Sequence, residues 1–320
     1  MLRMRLIYLA RYLAAALSFS GKARTIAALK ARERCVCVAN EERNKLISAL
    51  LHAPLGSLIV IRCIEELNGN RPRAHVAEDF SRFVIGENDD LRFFTLSAER
   101  LIELVVQCVI DLTPYGPDYQ QRVNALLACG PSLQFAAEQL LDAPGTANWF
   151  ANLDRKRQIW VSPDDTSPTR VSFRPDLRPF GQNVPKPRRA LWTSTSVGTC
   201  PGSWILYLRW GEDRRPPPYH LWQLEIAPTA HVYEVHEPQA WHALCMAFPL
   251  YGPDNLIMPD WRKVAQVWDG VHLSVGGLLT TEQVYWHTQQ GWTHLFGWGA
   301  ESTVWLRWAF TRRKRLPDID

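Results

Sequence analysis

Leu191-Trp192-Thr193-Ser194-Thr195-Ser196 begins as an aromatic-bearing alternation, ends in a row of small hydroxyl residues, and is followed by Gly198 and an apolar stretch from Trp204 to Trp210. Such a segment reads as a half-buried strand whose end can set hydroxyl groups beside a ligand without steric bulk. The same period of two recurs in Arg170-Val171-Ser172-Phe173-Arg174, Trp222-Gln223-Leu224-Glu225-Ile226, His231-Val232-Tyr233-Glu234-Val235 and Ser302-Thr303-Val304-Trp305-Leu306-Arg307-Trp308. Each is predicted to be a strand. Helices are predicted between them, over Gln239 to Phe248 and Thr281 to Gln289, with Val275-Gly276-Gly277-Leu278-Leu279 as a turn. The class is therefore α+β.

Tryptophan marks where this part begins, since only Trp149 of the 14 tryptophans precedes Trp160. A border near residue 150 follows, and Ser162-Pro163-Asp164-Asp165-Thr166-Ser167-Pro168 just beyond it is turn chemistry. Residues 46 to 145 read instead as helices joined by short turns. Ser97 can cap Ala98 to Leu112, whose Leu101, Leu104, Val105, Cys108, Val109 and Leu112 form one apolar stripe. Pro117 and Pro131 suit first helical turns, and Gly130 and Gly145 suit helix ends. The expectation is a helical accessory or regulatory region over 1–150 and a Trp-rich domain over 151–320 that carries the chemistry.

Residues 1–45 hold ten Lys or Arg against three acids. Met1 to Arg5 followed by Leu6 to Ser20 has the outline of a signal peptide, but Arg11 interrupts the apolar run and what remains is too short to span a bilayer. A basic amphipathic helix packed on the domain is the expectation, with a targeting segment or a start assigned too far upstream as alternatives. No other stretch approaches membrane-spanning length, which predicts a soluble cytoplasmic protein with no membrane partner. The seven cysteines are scattered through apolar stretches and read as buried thiols of a reducing compartment. Cys35-Val36-Cys37 has no second pair at zinc-finger spacing. A net charge of +4 over 320 residues is too small to name a partner.

Several familiar sites are missing. The chain contains no GxGxxG after a strand, no GxxxxGK[ST], no HExxH and no GxSxG. His231, His236 and His242 lack the spacing of a helical metal pair, so no metal is predicted.

Together with its neighbours, the Leu191–Ser196 stretch resembles the ADP-ribosyltransferases of the Arg/Ser-Thr-Ser/Glu type, including toxin-like and phage-associated members. The matching residues in chain order are Arg174, Ser194-Thr195-Ser196 and Glu301. Three blocks carry further likeness: Lys186 to Ser194, Trp268 to Leu273, and Trp298 to Thr303. The resemblance spans roughly residues 165 to 310. It implies a mixed, mostly antiparallel sheet and a transferase that cleaves the nicotinamide-ribose bond of NAD as co-substrate. ADP-ribose would pass to a macromolecular acceptor, protein or nucleic acid, and an inhibitory partner protein is implied for a toxin. Glu301 and Ser194 would be catalytic; Arg174, Trp192, Thr195, Ser196 and Tyr207 would hold NAD.

The chemistry suits these residue types. Bond cleavage passes through an oxocarbenium-like state that an acceptor carboxylate stabilises, and the fixed donor fork of an Arg matches the pyrophosphate. Arg178, Arg188 and Arg189 compete with Arg174 for that place. Well-known members carry Glu or Gln two residues before the catalytic Glu, whereas this chain has Gly299, which bears on a protein-arginine target. Asp269 and His272 form either a second catalytic pair or a capped turn. Two other functions stay open: a nucleic-acid module in which Trp residues stack bases and Arg312-Arg313-Lys314-Arg315 hold phosphates, and an inactive interaction protein of the same fold.

Overall fold

The computed structural model describes residues 40–67, 95–112, 118–162, 165–181, 184–211 and 217–319. Cys35-Val36-Cys37, Pro117, Pro163 and Asp164, and all of the N-terminal basic segment before residue 40, lie outside them. Contacts divide the chain into two units, residues 1–49 and residues 50–320. The first is described only by the start of helix α1 (Asn40–Leu51). In the second, the helical stretch before residue 150 and the strands after it pack as one body.

Among the described residues four helices open that body: α2 (Pro54–Leu67), α3 (Ala98–Asp111), α4 (Tyr119–Cys129) and α5 (Gln134–Asp142). Ser97 caps α3 as its position predicts, its Oγ accepting from the Arg100 amide at 3.1 Å. The predicted stripe of α3 is buried, and it packs on α2, almost all of which is inside. One cation sits in that apolar contact. Arg62 is 2% exposed and reaches Asp111 at 2.6 Å and Glu65 at 2.9 Å, so its charge is compensated where it is desolvated.

The remaining elements are β1 (Gln158–Ser162), β2 (Asp176–Pro179), β3 (Pro187–Arg189), β4 (Leu191–Thr195), α6 (Ser203–Trp210), β5 (His220–Ile226), β6 (Val232–Val235), α7 (Pro238–Ala247), β7 (Pro249–Tyr251), β8 (Ile257–Pro259), α8 (Trp261–Val267), β9 (Gly270–Leu273), α9 (Val275–Thr281), β10 (Tyr285–Thr288), β11 (Gly291–His294), β12 (Ser302–Trp305) and β13 (Phe310–Arg315). Seven strands form the main sheet in the order β13-β5-β1-β4-β12-β9-β6. All its pairings are antiparallel except β6 with β9. The fold is α+β with a mixed sheet.

Alternation sorts the sheet into two faces. Leu191, Leu224, Ile226, Trp305 and Phe310 build one apolar cluster. Ile159, Val161 and Leu221 point the other way, against Ile205 and Leu208 of α6. Register does the rest: Thr193 faces Thr303, Thr303 faces His272, and His272 faces Glu234. Four neighbouring strands therefore carry a polar row across the middle of the sheet, each about 4.8 Å from the next.

Three expectations are corrected. Arg170 to Arg174 is a turn and not a strand: the Thr169 carbonyl accepts from the Phe173 amide at 2.9 Å, and the Thr169 and Ser172 side chains bond each other's backbone. Short hydroxyl side chains here satisfy the backbone locally and outcompete a ladder. Val275 to Thr281 is a helix and not a turn, capped by Ser274, whose Oγ accepts from the Gly277 amide at 3.0 Å. Its glycines serve close packing, since a Cβ at 276 would lie 2.2 Å from the Phe150 ring. The helix predicted over Thr281 to Gln289 is the end of α9 followed by the hairpin β10-β11. Tyr285-Trp286-His287-Thr288 pairs with the strand after Gly291, and aromatic residues fit that ladder better than a helix surface.

Candidate active site

Glu301 stands immediately before β12, 4% exposed, with its carboxylate gripped from three directions. Ser194 Oγ donates to Oε2 at 2.8 Å, and the Thr195 amide approaches both carboxylate oxygens at 3.2 and 3.1 Å. Ser203, at the start of α6, donates to the Glu301 carbonyl at 2.9 Å and lies 3.3 Å from Oε2. Ser194 also accepts from the Trp204 amide, which locks its hydroxyl toward the carboxylate. The third direction is His272, whose Nε2 lies 3.4 Å from Glu301 Oε1. Its Nδ1 is 2.5 Å from Glu234 Oε2, and Glu234 in turn accepts from the Leu153 amide at 3.1 Å.

Burial alone would push the His272 pKa down. The hydrogen bonds and charges of Glu234 and Glu301 outweigh it and raise the imidazole to about 9. At neutral pH both ring nitrogens then carry protons, and one faces each carboxylate.

This carboxylate–imidazole–carboxylate row ends at a cavity of about 180 Å³. Glu301, His272, Thr195 and Arg157 line it from the sheet side; Ile102, Asn148 and Trp149 line it from the helical side. Residues before 150 thus form a wall of the site. Trp149 is 2% exposed and its Nε1 has no hydrogen-bond partner among the described residues.

The residues expected from the sequence fall into four groups. Glu301, Ser194 and Thr195 come together as described. Ser196 is adjacent and clamps β1, its amide donating to the Arg157 carbonyl at 2.9 Å. Trp192 and Tyr207 instead belong to an aromatic cluster that includes Trp204 of α6: Trp192 meets Trp204 at 6.2 Å and Trp298 at 5.0 Å, and Trp204 meets Tyr207, also of α6, at 5.9 Å. They pack behind the segment leading to Glu301 and do not line its cavity. Arg174 is exposed on the turn described above, where its Nη1 donates to the Phe173 carbonyl at 3.0 Å, and it lines a different pocket.

Tyr207 also explains the glycine at 299. That residue has φ +80°, and a Cβ there would lie 3.1 Å from the Tyr207 ring. A Glu or Gln side chain at that position would be strained by the backbone and crowded by the ring.

Arg157 is the arginine at the Glu301 cavity, and sequence reading passed it over. The signal was present: Gln158-Ile159-Trp160-Val161-Ser162 alternates directly after Arg155-Lys156-Arg157, as a strand with a basic entry would. Arg157 is exposed and pairs with Asp154 at 2.7 Å. Glu234 gave no such signal, because a Glu on a half-buried strand is ordinary. Of the Asp269/His272 alternatives, Asp269 holds the turn by accepting from the His231 amide and pairing with Arg307, while His272 joins the site. His231, His236 and His242 do not converge; His236 bonds Ser274 and Asn152, and His242 bonds Thr293.

The chain matches no family model, no curated protein and no solved structure. Among the described residues no single helix is long and apolar enough to cross a membrane.

Proposed function

We propose that this chain is a toxin-like, NAD-dependent ADP-ribosyltransferase, a glycosyltransferase that cleaves the nicotinamide-ribose bond and passes ADP-ribose to a macromolecular acceptor. The observation that carries this reading is the fixed, buried carboxylate of Glu301 in the wall of a small cavity, held by Ser194, Thr195 and His272.

A cavity of 180 Å³ suits the nicotinamide and its ribose, not a whole dinucleotide. The rest of NAD would extend past the rim, where Arg157 offers a guanidinium to the pyrophosphate. The Arg157–Asp154 pair is largely solvated, so opening it costs little.

In this reading Glu301 hydrogen-bonds the ribose hydroxyl, stabilises positive charge developing at the ribose as nicotinamide leaves, and orients the incoming nucleophile. Its orientation is set beforehand by Ser194 and the Thr195 amide, so no reorganisation is needed during bond cleavage. His272 is a positioning residue that acts through Glu301. Its charge also keeps the buried carboxylate of Glu301 and the partly buried one of Glu234 compatible in one row.

The test is release of nicotinamide from NAD by the purified chain beside a Glu301→Gln variant, with RNA, DNA and cell extract offered as acceptors. A loss on the order of 100-fold or more in the variant supports the reading. Equal release by both proteins, or none with any acceptor from the folded wild type, overturns it.

A further inference from the structure

The second pocket, where Arg174 lies, has about the same volume as the first, 190 Å³, and a different chemistry. Trp160, Phe173, Leu191 and Trp308 form its apolar part; Arg174 and Arg189 stand at its mouth. Phe173 and Trp308 meet edge to face at 6.0 Å, and Trp308 is braced by Phe310 at 4.9 Å, so the aromatic walls are fixed by packing. Three of those apolar residues, Trp160, Phe173 and Trp308, are only half-buried, leaving ring surface open to a ligand.

The two charged side chains that line it, Arg174 and Arg189, are both cationic. Arg174 and Arg189 are exposed, and neither forms an ion pair among the described residues. Arg313 of the edge strand β13 joins them: its Nη1 donates to the carbonyl of Pro168, another residue of the pocket wall, at 2.8 Å. Nearby carboxylates are engaged elsewhere, Asp176 with Arg178 and Asp165 with Arg315. Aromatic walls with unpaired guanidinium forks at the rim suit a flat ring that carries phosphate.

We propose that this pocket receives a base of single-stranded nucleic acid, with the flanking phosphates held by Arg174, Arg189 and Arg313. Its place in the fold favours a strand over a free nucleotide. Leu191 lines this pocket and Thr195 lines the Glu301 cavity, so the two open at opposite ends of β4, about 13 Å apart along an extended strand. A chain anchored by one base here can present its neighbours toward the other cavity. Binding at this pocket does not depend on the NAD reading, although the two together would make nucleic acid the acceptor.

The experiment is fluorescence anisotropy of a labelled twelve-nucleotide oligo(dA) with the full chain between about 50 and 200 mM salt. With three phosphates engaged, log K is expected to fall against log salt with a slope of roughly −2. Arg174→Glu with Arg189→Glu changes exposed side chains only; it should weaken binding at least tenfold and flatten the slope to about −0.7. Phe173→Leu keeps an apolar side chain and the charge while removing a stacking face, and should weaken binding on the order of tenfold with the slope unchanged. Affinity unaltered by both changes overturns the proposal. Competition by AMP or poly-glutamate as strong as that by the oligomer also overturns it, in favour of a free nucleotide or an acidic peptide. Glu301→Gln should bind like wild type; loss of binding there would move the strand to the other cavity and overturn this one.

Discussion

His272 Nδ1 lies 2.5 Å from Glu234 Oε2, on the side of the imidazole opposite Glu301. The pairing follows from strand register, since β6 and β9 run parallel with Glu234 directly beside His272. Glu234 thereby sets both the orientation of the ring and its charge, and through the ring it acts on a carboxylate it never touches.

That dependence predicts the behaviour of Glu234→Gln. With one of the two acceptors neutral, the imidazole loses its proton at lower pH. The alkaline limb of the rate profile, expected near pH 9 in the wild type, should move down by about one pH unit or more, and kcat should fall about tenfold while KM for NAD holds. A limb that stays in place would show that the pair only packs.

Stability should carry the same signature. The folded-state pKa of His272, about 9, lies above its ordinary 6.5, so the folded protein binds this proton more tightly than the unfolded chain. The contribution is then fully present below pH 6.5 and lost as pH rises through 9, with a size on the order of 3 kcal/mol. Thermal denaturation between pH 6 and 10 measures it: wild type should lose Tm across that window by more than His272→Gln does. Parallel curves would contradict the assignment.

Arg157 and Arg174 separate two cavities and should separate in kinetics. Arg157→Ala is expected to raise KM for NAD about tenfold, the scale of losing a charge-assisted contact, with a smaller effect on kcat. Arg174→Ala should leave KM for NAD unchanged. A reversed pattern, read from initial rates of nicotinamide release, would return the pyrophosphate to Arg174.

Gly299 should tolerate no side chain. Its φ of +80° and the Tyr207 ring 3.1 Å from a would-be Cβ both oppose substitution. Gly299→Ala is expected to cost about 1–3 kcal/mol, read as a lower denaturant midpoint at unchanged m-value. Because the backbone part of that cost is independent of the ring, Tyr207→Ala should recover only part of it.

The residues that reveal themselves in the sequence are those whose roles are local. Ser97 caps a helix three residues away, Leu191 to Thr195 alternates as β4 does, and Glu301 stands at the head of its own strand. Ser194, Thr195 and Glu301 are legible only through the resemblance of their surroundings to the Arg/Ser-Thr-Ser/Glu pattern; a row of hydroxyl residues and a distant carboxylate carry no local sign of their contact. Local rules failed where two local structures compete: Arg170 to Arg174 alternates like a strand, but Thr169 and Ser172 close it as a turn.

By itself, then, the chain determined an α+β class, helices before residue 150 and most strands of the sheet, because hydrophobic period, capping and turn chemistry act within a few residues, while Glu301 came only from the family resemblance of its block. Only the tertiary structure decided which cation and which imidazole join it. Glu234, His272 and Glu301 become neighbours through the order β4-β12-β9-β6 and its registers. Arg157 and Arg174, 17 positions apart, reach different pockets because one precedes β1 and the other sits on a turn that packs against Trp308. Strand order and register arise from burying two faces of one sheet at once, a condition set by the whole chain and carried by no single stretch of it.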